Sequence, residues 1–178
     1  MKSLAAPTVK KKDSSIVVAT KRVHDGQADA LVAAGSTGAA AVAAQFGLGR
    51  IANVDRAAIC CTMPATTGKC LLVDVGANVD CTPHQLLQFA VMGSIVSAGL
   101  FGKKNPSVGL LNIGTEETKG NELVQEAYKL LKQQSGINFI GFVEGRDFPL
   151  GRVDVTVTDG FTGNVALKTA EGIANMCK

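Results

Sequence analysis

Short apolar stretches alternate with polar, glycine-containing segments along most of the chain. The apolar stretches are rich in Val, Ile, Leu and Ala, which is typical of strands that are buried on both faces of a sheet. Six strands are predicted from this pattern, at 30–34, 57–61, 70–75, 108–113, 137–143 and 153–157.

Capping residues and helical spacing predict helices between these strands. Ser14 or Ser15 can cap a first helix, and Gly26 can end it. Pro83 suits the first turn of a long helix that runs to about Leu100. Further helices are predicted at 39–46, at 121–134 and from about 165 onward. Strands that alternate with helices indicate an α/β fold with a mostly parallel sheet and right-handed crossovers. No domain boundary is evident, so residues 1–178 are predicted to form a single α/β domain.

The aromatic content, the net charge and the cysteines of the chain favour some classes of protein and exclude others. Aromatic residues make up only 4% of the chain and Trp is absent, which favours an aliphatic core of parallel sheet covered by helices. The net charge of +3 is too small and too scattered to indicate nucleic-acid binding. Five cysteines without a CxxC pair, together with no recognisable signal peptide, predict a reduced, cytoplasmic protein.

The most apolar part of the chain is residues 86–101. It is shorter than the roughly 20 residues that a membrane-spanning helix needs, and Gln88, Ser94 and Ser97 interrupt it. We therefore expect a helix that is buried in the core or at a subunit interface.

Four glycine-containing turns follow predicted strands. In a parallel sheet, ligands bind outside the carboxyl ends of the strands, so these turns are expected at one edge. Glycine lets backbone N–H groups approach an anion, and a helix that begins after the turn adds unpaired N–H donors. The pattern predicts an anion site of the phosphate type, built from residues 35–38, 74–78, 112–121 and 159–164.

Two side chains in these turns could carry chemistry. Lys119 could neutralise a bound phosphate or a developing oxyanion, although an exposed lysine is usually only solvated. Asn164 could cap the last helix, or its amide could donate to a carbonyl oxygen without adding charge.

Other motifs carry weaker hypotheses. Residues 47–52 match a dinucleotide-binding pattern, but they follow a helix where that motif requires a strand. Cys81 and His84 could form a thiol nucleophile pair, or a packed cysteine and a surface histidine. Asp74, Asp80 and His84 match no established metal-ligand spacing. No cofactor and no metal are therefore predicted.

Several of these motifs together resemble the bacterial phosphate acyltransferase family of phospholipid synthesis. Two of them read LVDVGANVDC at 72–81 and TDGFTGNVALKT at 158–169, and the motifs are specific when taken together. The resemblance extends over nearly the whole chain after about residue 10, through segments 12–15, 34–39, 72–81, 108–114, 117–123, 143–147 and 158–169.

The resemblance implies an enzyme that moves a fatty acyl group from acyl carrier protein to inorganic phosphate. The acyl phosphate would then serve a membrane glycerol-3-phosphate acyltransferase. Members of the family are homodimers in the cytosol with peripheral membrane contact. Their fold is a three-layer α/β/α arrangement, similar to phosphotransacetylases and isocitrate dehydrogenases.

The resemblance and the turn chemistry together assign the site. Lys119 and Asn164 are the predicted catalytic residues. The predicted phosphate- or substrate-binding residues are Gly35, Ser36, Thr37, Gly38, Asp74, Asn78, Asn112, Asn121, Asp159, Gly160 and Gly163.

The chain departs from the family at several points. Ser36 and Phe142 stand where the family usually has Asn. Family members are longer, with an opening strand before the first motif and helices after the last one, so an incomplete domain is expected. Two alternatives remain open: acyl transfer from acyl-coenzyme A, as in phosphotransacetylases, and a non-catalytic remnant that only folds or associates.

Overall fold

The computed structural model describes residues 11–177. Contacts within the chain divide it into two compact units, residues 1–57 and residues 58–178, and each is described by itself. The N-terminal ten residues, for which no signal peptide is predicted, lie outside the described part.

The first unit contains two helices, α1 (Ser15–His24) and α2 (Thr37–Gly47). They pack closely because Gly47 faces Thr20, where an added Cβ would come within 2.5 Å of the threonine methyl carbon. Thr20 is buried, and its hydroxyl donates to the Ile16 carbonyl at 2.7 Å. Both predicted helices are confirmed, and Gly26, at φ +70°, follows the end of α1.

The strand predicted at 30–34 is wrong. These residues have no regular secondary structure, and the side chain of Val32 is 98% exposed. A strand needs a hydrogen-bonded neighbour, and the described part of residues 1–57 contains no other strand for this segment to pair with. An apolar run was therefore insufficient evidence for a strand here.

The second unit is built on a five-stranded sheet of order β1-β2-β5-β3-β4. Three of its four strand pairings are parallel, which confirms the predicted mostly parallel sheet. β5 is central, since Val155 pairs with both Leu71 and Val108. The strands are β1 (Cys60–Ala65), β2 (Gly68–Val73), β3 (Ser107–Leu111), β4 (Asn138–Val143) and β5 (Val155–Val157).

An antiparallel hairpin forms one edge of this sheet, where the sequence predicted two separate strands at 57–61 and 70–75. β1 and β2 pair from Cys60 opposite Val73 to Ala65 opposite Gly68. The turn between them is Thr66–Thr67, which lacks the Asn-Gly or Asp-Gly signal that marks a tight hairpin. Pro64 fits because β1 is the edge strand.

Helices cover both faces of the sheet and produce three layers, as predicted. α3 (Pro83–Phe101) and α4 (Glu122–Gln133) lie on one face, and α5 (Gly160–Met176) lies on the other. Alternation along β2 separates the two cores, because Leu71 and Val73 face α3 while Cys70 and Leu72 face α5. The chain therefore has the α/β fold that its sequence predicts.

The long apolar helix is α3. A capping box starts it: the Thr82 hydroxyl accepts from Gln85 N–H at 3.2 Å and the Gln85 side chain accepts from Thr82 N–H at 3.0 Å. Among the described helices only α3 has the length and apolar composition to cross a membrane. Leu86, Phe89 and Ala90 are nonetheless buried in the core of the unit, as expected for a core helix.

The last helix begins earlier than predicted. α5 starts at Gly160 and not near Val165, because Asp159 is its N-cap and accepts from Thr162 N–H at 2.8 Å. Two glycines in the first turn made this segment resemble a loop, since glycine normally disfavours helix. Asn164 consequently lies inside the helix, which excludes capping, one of the two roles considered for it.

Candidate functional site

Three of the four predicted turns lie at one edge of the sheet. β2, β3 and β5 are parallel, so residues 74–78, 112–121 and 158–159 all leave the sheet at its carboxyl edge. Ligand sites in open α/β folds occur at this edge. The fourth turn, residues 35–38, belongs to the first unit and does not follow a strand.

The first of these turns, residues 74–78, is organised around a buried carboxylate. One oxygen of Asp74 accepts from the N–H groups of Ile59, Gly76 and Ala77, each at 3.1 Å. The other accepts from the backbone of Asn78 at 2.7 Å and from its side chain at 2.9 Å. Asp74 is fully buried and Asn78 is 6% exposed. Both side chains therefore hold the turn in shape, and the predicted substrate contact is not supported by their geometry.

The start of α5 presses directly onto this turn. Gly160 N–H donates to the Asn78 carbonyl at 2.8 Å, and an added Cβ on Gly160 would lie 2.6 Å from the same oxygen. An added Cβ on Gly163 would overlap the Asp74 carbonyl oxygen. Gly163 N–H bonds within the helix, to the Asp159 carbonyl at 3.0 Å. These glycines allow backbone-to-backbone contact, and their amides are already occupied by the protein.

Asn164 lies at the rim of this contact. Its side chain is exposed and stands beside Gly76, where an added Cβ would meet it at 3.7 Å. Gly76 has φ +131°, which only glycine adopts readily. The amide is thus held next to the turn while it remains open to a ligand from solvent.

The second turn, residues 112–121, is held by amides instead of a carboxylate. Asn112 accepts from Ile113 N–H at 2.9 Å and donates to the Lys119 carbonyl at 3.1 Å. Gln125 donates to the same Lys119 carbonyl. Gly120 has φ +101°, and an added Cβ would lie 2.6 Å from the Asn112 amide oxygen. The backbone of Lys119 is therefore fixed, while its ammonium-bearing side chain is exposed.

A cleft of about 420 Å³ lies between the second turn and the start of α5. It brings together three of the predicted site residues, Asn112, Asn121 and Asp159. Lys119 and Asn164 do not line this cleft; each is within two residues of a lining residue, Gly120 and Thr162 respectively. The full lining is Leu86, Leu110, Leu111, Asn112, Ile113, Gly120, Asn121, Val124, Gly145, Thr158, Asp159 and Thr162.

Two helices begin at this cleft. Asn121 caps α4 by accepting from Val124 N–H at 2.9 Å, and Asp159 caps α5. Both caps line the cleft, so the positive ends of two helix dipoles point toward it. The Asp159 carboxylate also accepts from the Thr162 hydroxyl at 2.7 Å, which engages its charge locally. The two helix N-termini favour an anion in this cleft.

Three side chains that the sequence did not single out hold the second turn against α4. They are Glu117 in the turn and Tyr128 and Lys132 on the helix. The Glu117 carboxylate accepts from the Tyr128 hydroxyl at 2.5 Å and from the Lys132 ammonium at 2.9 Å. The hydrogen bond from Tyr128 lowers the pKa of Glu117, and the bond to Glu117 raises the pKa of both Tyr128 and Lys132. Phe142, one of the departures from the family, packs against Tyr128 with ring centroids 4.5 Å apart. The i,i+4 spacing of Tyr128 and Lys132 was the available signal.

Ion pairs shape the segment after β4. Asp147 accepts from Glu144 N–H at 2.8 Å and pairs with Arg152 at 2.9 Å. Burial raises the pKa of Asp147, but these two donors outweigh burial and the pKa is lower than usual. Arg146 pairs with Glu144 at 2.8 Å. These contacts fix Gly145, the residue of this segment that lines the cleft.

The turn at 35–38 starts a helix in the first unit. The Ser36 hydroxyl caps α2 by accepting from Ala39 N–H at 3.4 Å, and Thr37 and Gly38 form the first turn. A cleft of about 370 Å³ beside this turn is lined by Gly35 and Ser36 from one motif and by Ser14 and Ser15 from another. Two separate motifs of the sequence therefore meet within this unit.

The structure also describes the residues of the weaker hypotheses, the Cys81–His84 pair and a metal site. The Cys81 thiol donates to the Asn78 carbonyl at 3.4 Å and packs against the core, while His84 is exposed at the start of α3. Within residues 11–177, no group of three His, Cys, Asp or Glu side chains is placed to hold a metal ion.

The α/β fold of this chain resembles that of phosphotransacylases of known structure. EutD phosphotransacetylase from Staphylococcus aureus superposes on 90% of this chain and 56% of its own, with a TM-score of 0.69 and 25% identity. A branched-chain phosphotransacylase from Enterococcus faecalis V583 shares the fold with a TM-score of 0.60 and 16% identity, over 95% of this chain and 65% of its own.

Sequence comparison then gives the family. The family model described as "Fatty acid synthesis protein" matches residues 1–178, so the chain belongs to that family. "Phosphate acyltransferase" from Desulfitobacterium hafniense is 60% identical over 166 residues, which are 93% of this chain and 49% of that protein. The chain thus spans about half the length of the curated relatives it matches, and those relatives carry the name of an enzyme.

Proposed function

We propose that the complete protein transfers a fatty acyl group from acyl carrier protein to inorganic phosphate and releases acyl phosphate. The observation that carries the proposal is the cleft at the carboxyl edge of the sheet, where Asn112, Asn121 and the starts of α4 and α5 converge. The family description and the acyltransferase relatives support acyl transfer to phosphate.

The reaction does not require a covalent intermediate between the protein and the acyl group. A phosphate oxygen forms a bond to the thioester carbonyl carbon, the carbon–sulfur bond breaks, and the carrier leaves as a thiolate that takes up a proton. Phosphate is already nucleophilic, so the site must align two reactants and stabilise a tetrahedral oxyanion. Fixed amide donors and helix N-termini supply such stabilisation without reorganising during the reaction.

Lys119 and Asn164 take the catalytic roles in this proposal. Lys119 balances the charge of phosphate or of the oxyanion, since its backbone is fixed while its side chain is exposed. Asn164 orients the acyl carbonyl from the rim beside Gly76.

The other predicted site residues bind or support. Asn112 and Asn121 line the cleft as neutral contacts. The turn itself is held in shape by Asp74, Asn78, Gly160 and Gly163. Residues 35–38 are proposed as a separate set of anion-binding amides within the first unit.

The cellular setting belongs to the same proposal. The enzyme acts as a homodimer in the cytoplasm, in peripheral contact with the membrane. Its product passes to a membrane glycerol-3-phosphate acyltransferase. The family's place in fatty acid synthesis supports a fatty acyl donor.

Phosphate-dependent release of the carrier thiol tests this function. The purified chain is incubated with acyl-acyl carrier protein, with and without phosphate, and acyl phosphate is trapped with hydroxylamine. The Desulfitobacterium hafniense relative, assayed in parallel, is the positive control. We expect both products to form in equal amounts only when phosphate is present; thiol release without phosphate would identify a thioesterase and contradict the proposal.

A second candidate is transfer from acyl-coenzyme A, which the similarity to the Staphylococcus aureus phosphotransacetylase favours. Exchanging the thiol carrier at equal acyl chain length separates the two, because the preferred carrier gives the higher kcat/KM. A non-catalytic, self-associating chain is the third reading. It predicts no turnover with either carrier together with a sedimentation coefficient that rises with concentration.

A further inference from the structure

An apolar groove runs along α5 on the face of the sheet opposite α3. It has a volume of about 510 Å³ and no charged residue among its lining side chains. This volume falls in the range of about 300–1,000 Å³ that is usual for small-ligand sites. The groove is lined by Met63, Pro64, Gly145, Phe148, Pro149, Ala166, Thr169, Ala170, Ile173 and Ala174.

The groove adjoins the cleft described above. Gly145 lines both, so the two cavities meet at this residue. No atom lies within 4 Å of a Cβ added to Gly145, which leaves the junction open. α5 connects the same two places, because Thr162 lines the cleft and Ala174, about 18 Å further along the helix at ~1.5 Å per residue, lines the groove.

Resting on the function proposed above, we propose that this groove holds the hydrocarbon chain of the acyl donor, with the thioester at the Gly145 junction. A hydrocarbon chain makes no hydrogen bonds, so it requires walls without charges or unpaired polar groups. Each buried methylene strengthens binding by about fourfold, from ~0.8 kcal/mol per methylene. The polar cleft alone would recognise phosphate and the thioester, while the groove would distinguish a long acyl chain from a short one.

Photolabelling tests the groove without requiring turnover. The probe is the palmitoyl thioester of N-acetylcysteamine with a diazirine at the end of the chain, and labelled residues are mapped by mass spectrometry. We expect labels on Phe148, Ile173 and Ala174. Labels scattered over the surface, or confined to the unit of residues 1–57, would overturn the proposal.

Gly145→Leu is the most direct variant, because a Cβ added at Gly145 has no atom within 4 Å beyond its chain neighbours and the rest of the leucine side chain then occupies the junction. Displacing two to three methylenes at about fourfold each predicts roughly 15- to 60-fold weaker labelling. Gly99→Leu in α3 is the matched control, since Gly99 also has no atom within 4 Å of an added Cβ and lines neither cavity. Unchanged labelling in Gly145→Leu would refute the junction.

Chain-length kinetics supply an independent readout. Gly145→Leu, which lies where the cleft and the groove adjoin, is expected to lower kcat/KM by a larger factor for the palmitoyl thioester than for the acetyl thioester. Ala174→Phe, far from the cleft, should weaken palmitoyl and spare octanoyl. An equal loss for all three donors would mean damage to the cleft and would overturn the groove as a chain site.

The two proposals fail separately. If the wild-type chain turns over no donor but the probe labels the groove, the enzymatic proposal fails and the groove stands. If turnover occurs but chain-length preference survives both variants, the groove proposal fails alone. A second copy of the chain could instead cover the groove. In that case Ile173→Asp will lower the sedimentation coefficient and the probe will not label the groove of the wild-type chain. That result also refutes the acyl site.

Discussion

Two turns at the same edge of the sheet, residues 74–78 and residues 112–121, look alike in sequence and differ in physical character. Both follow a parallel strand and combine Gly with Asn. The first is closed around a buried carboxylate and pinned by the backbone of α5. The second is held at the surface by the amides of Asn112 and Gln125, and its lysine remains exposed. One turn therefore serves as scaffold, while the other offers groups to a ligand.

Replacement of Asp74 should give the largest effect, on stability. Asp74→Ala leaves several buried donors unpaired at about 1–3 kcal/mol each, so the free energy of unfolding should fall by roughly 4 kcal/mol or more. Denaturant unfolding measures the loss. Asp159→Ala is the control, because losing a helix cap typically costs only ~1 kcal/mol. Equal losses in the two variants would refute the scaffold role of residues 74–78.

Replacement of Lys119 should give the next largest effect, on turnover. Loss of one oxyanion donor typically costs about a hundredfold to a thousandfold in kcat, or ~2.7–4 kcal/mol. Lys119→Ala should show such a loss with an unchanged unfolding midpoint. Lys129→Ala, an exposed lysine paired with Glu126 on α4, should retain activity. Near-normal turnover in Lys119→Ala would remove this residue from the mechanism.

Gly163 tests the backbone contact between α5 and the first turn. Gly163→Ala places a methyl group against the Asp74 carbonyl, and such overpacking typically costs about 1–3 kcal/mol. Gly172→Ala in the same helix has open space around it and should stabilise the protein by ~1 kcal/mol. Opposite signs in thermal unfolding are expected; the same sign in both would contradict the close contact.

Glu117 should give the smallest effect, confined to the second turn and dependent on pH. Its folded pKa is lowered from the ordinary value of 4.5, chiefly by the Tyr128 hydroxyl. Its contribution is therefore complete above about pH 4.5 and is lost as the pH falls through the lower folded value. Glu117→Gln should speed amide exchange at 112–121 near neutral pH and change nothing in strong acid. Glu126→Gln, on α4 outside this cluster, should leave the exchange unaltered at both.

Helices with local sequence signals were predicted more accurately than strands, whose pairing partners lie elsewhere in the chain. α3 and α4 were predicted almost to the residue, because Pro83, Asn121 and a long amphipathic pattern are local signals. The hairpin of β1 and β2 was missed, since Thr66–Thr67 carries no turn signature. The segment 30–34 was predicted as a strand from its apolar residues alone, and strand formation depends on a partner elsewhere in the chain.

The sequence predicted where the turns gather more accurately than it predicted the contacts that their side chains make. Asn112, Asn121 and Asp159 come together because parallel strands end at a common edge, a rule that holds before any coordinates exist. Asp74 was predicted as a ligand-binding residue, but it faces inward to backbone donors. The glycines of α5 were predicted to bind an anion, but they make room for another backbone. Both roles depend on residues distant in sequence.

Local chemistry along the chain was enough to establish the α/β class, the order of most elements and the edge at which the turns gather, because periodicity, caps and turn residues act over short distances. Tertiary structure decided which of two similar turns is buried, how Glu117 braces the second one, and where an apolar groove meets the polar cleft. Those features arise from contacts between segments far apart in sequence, whose burial and approach no local pattern encodes.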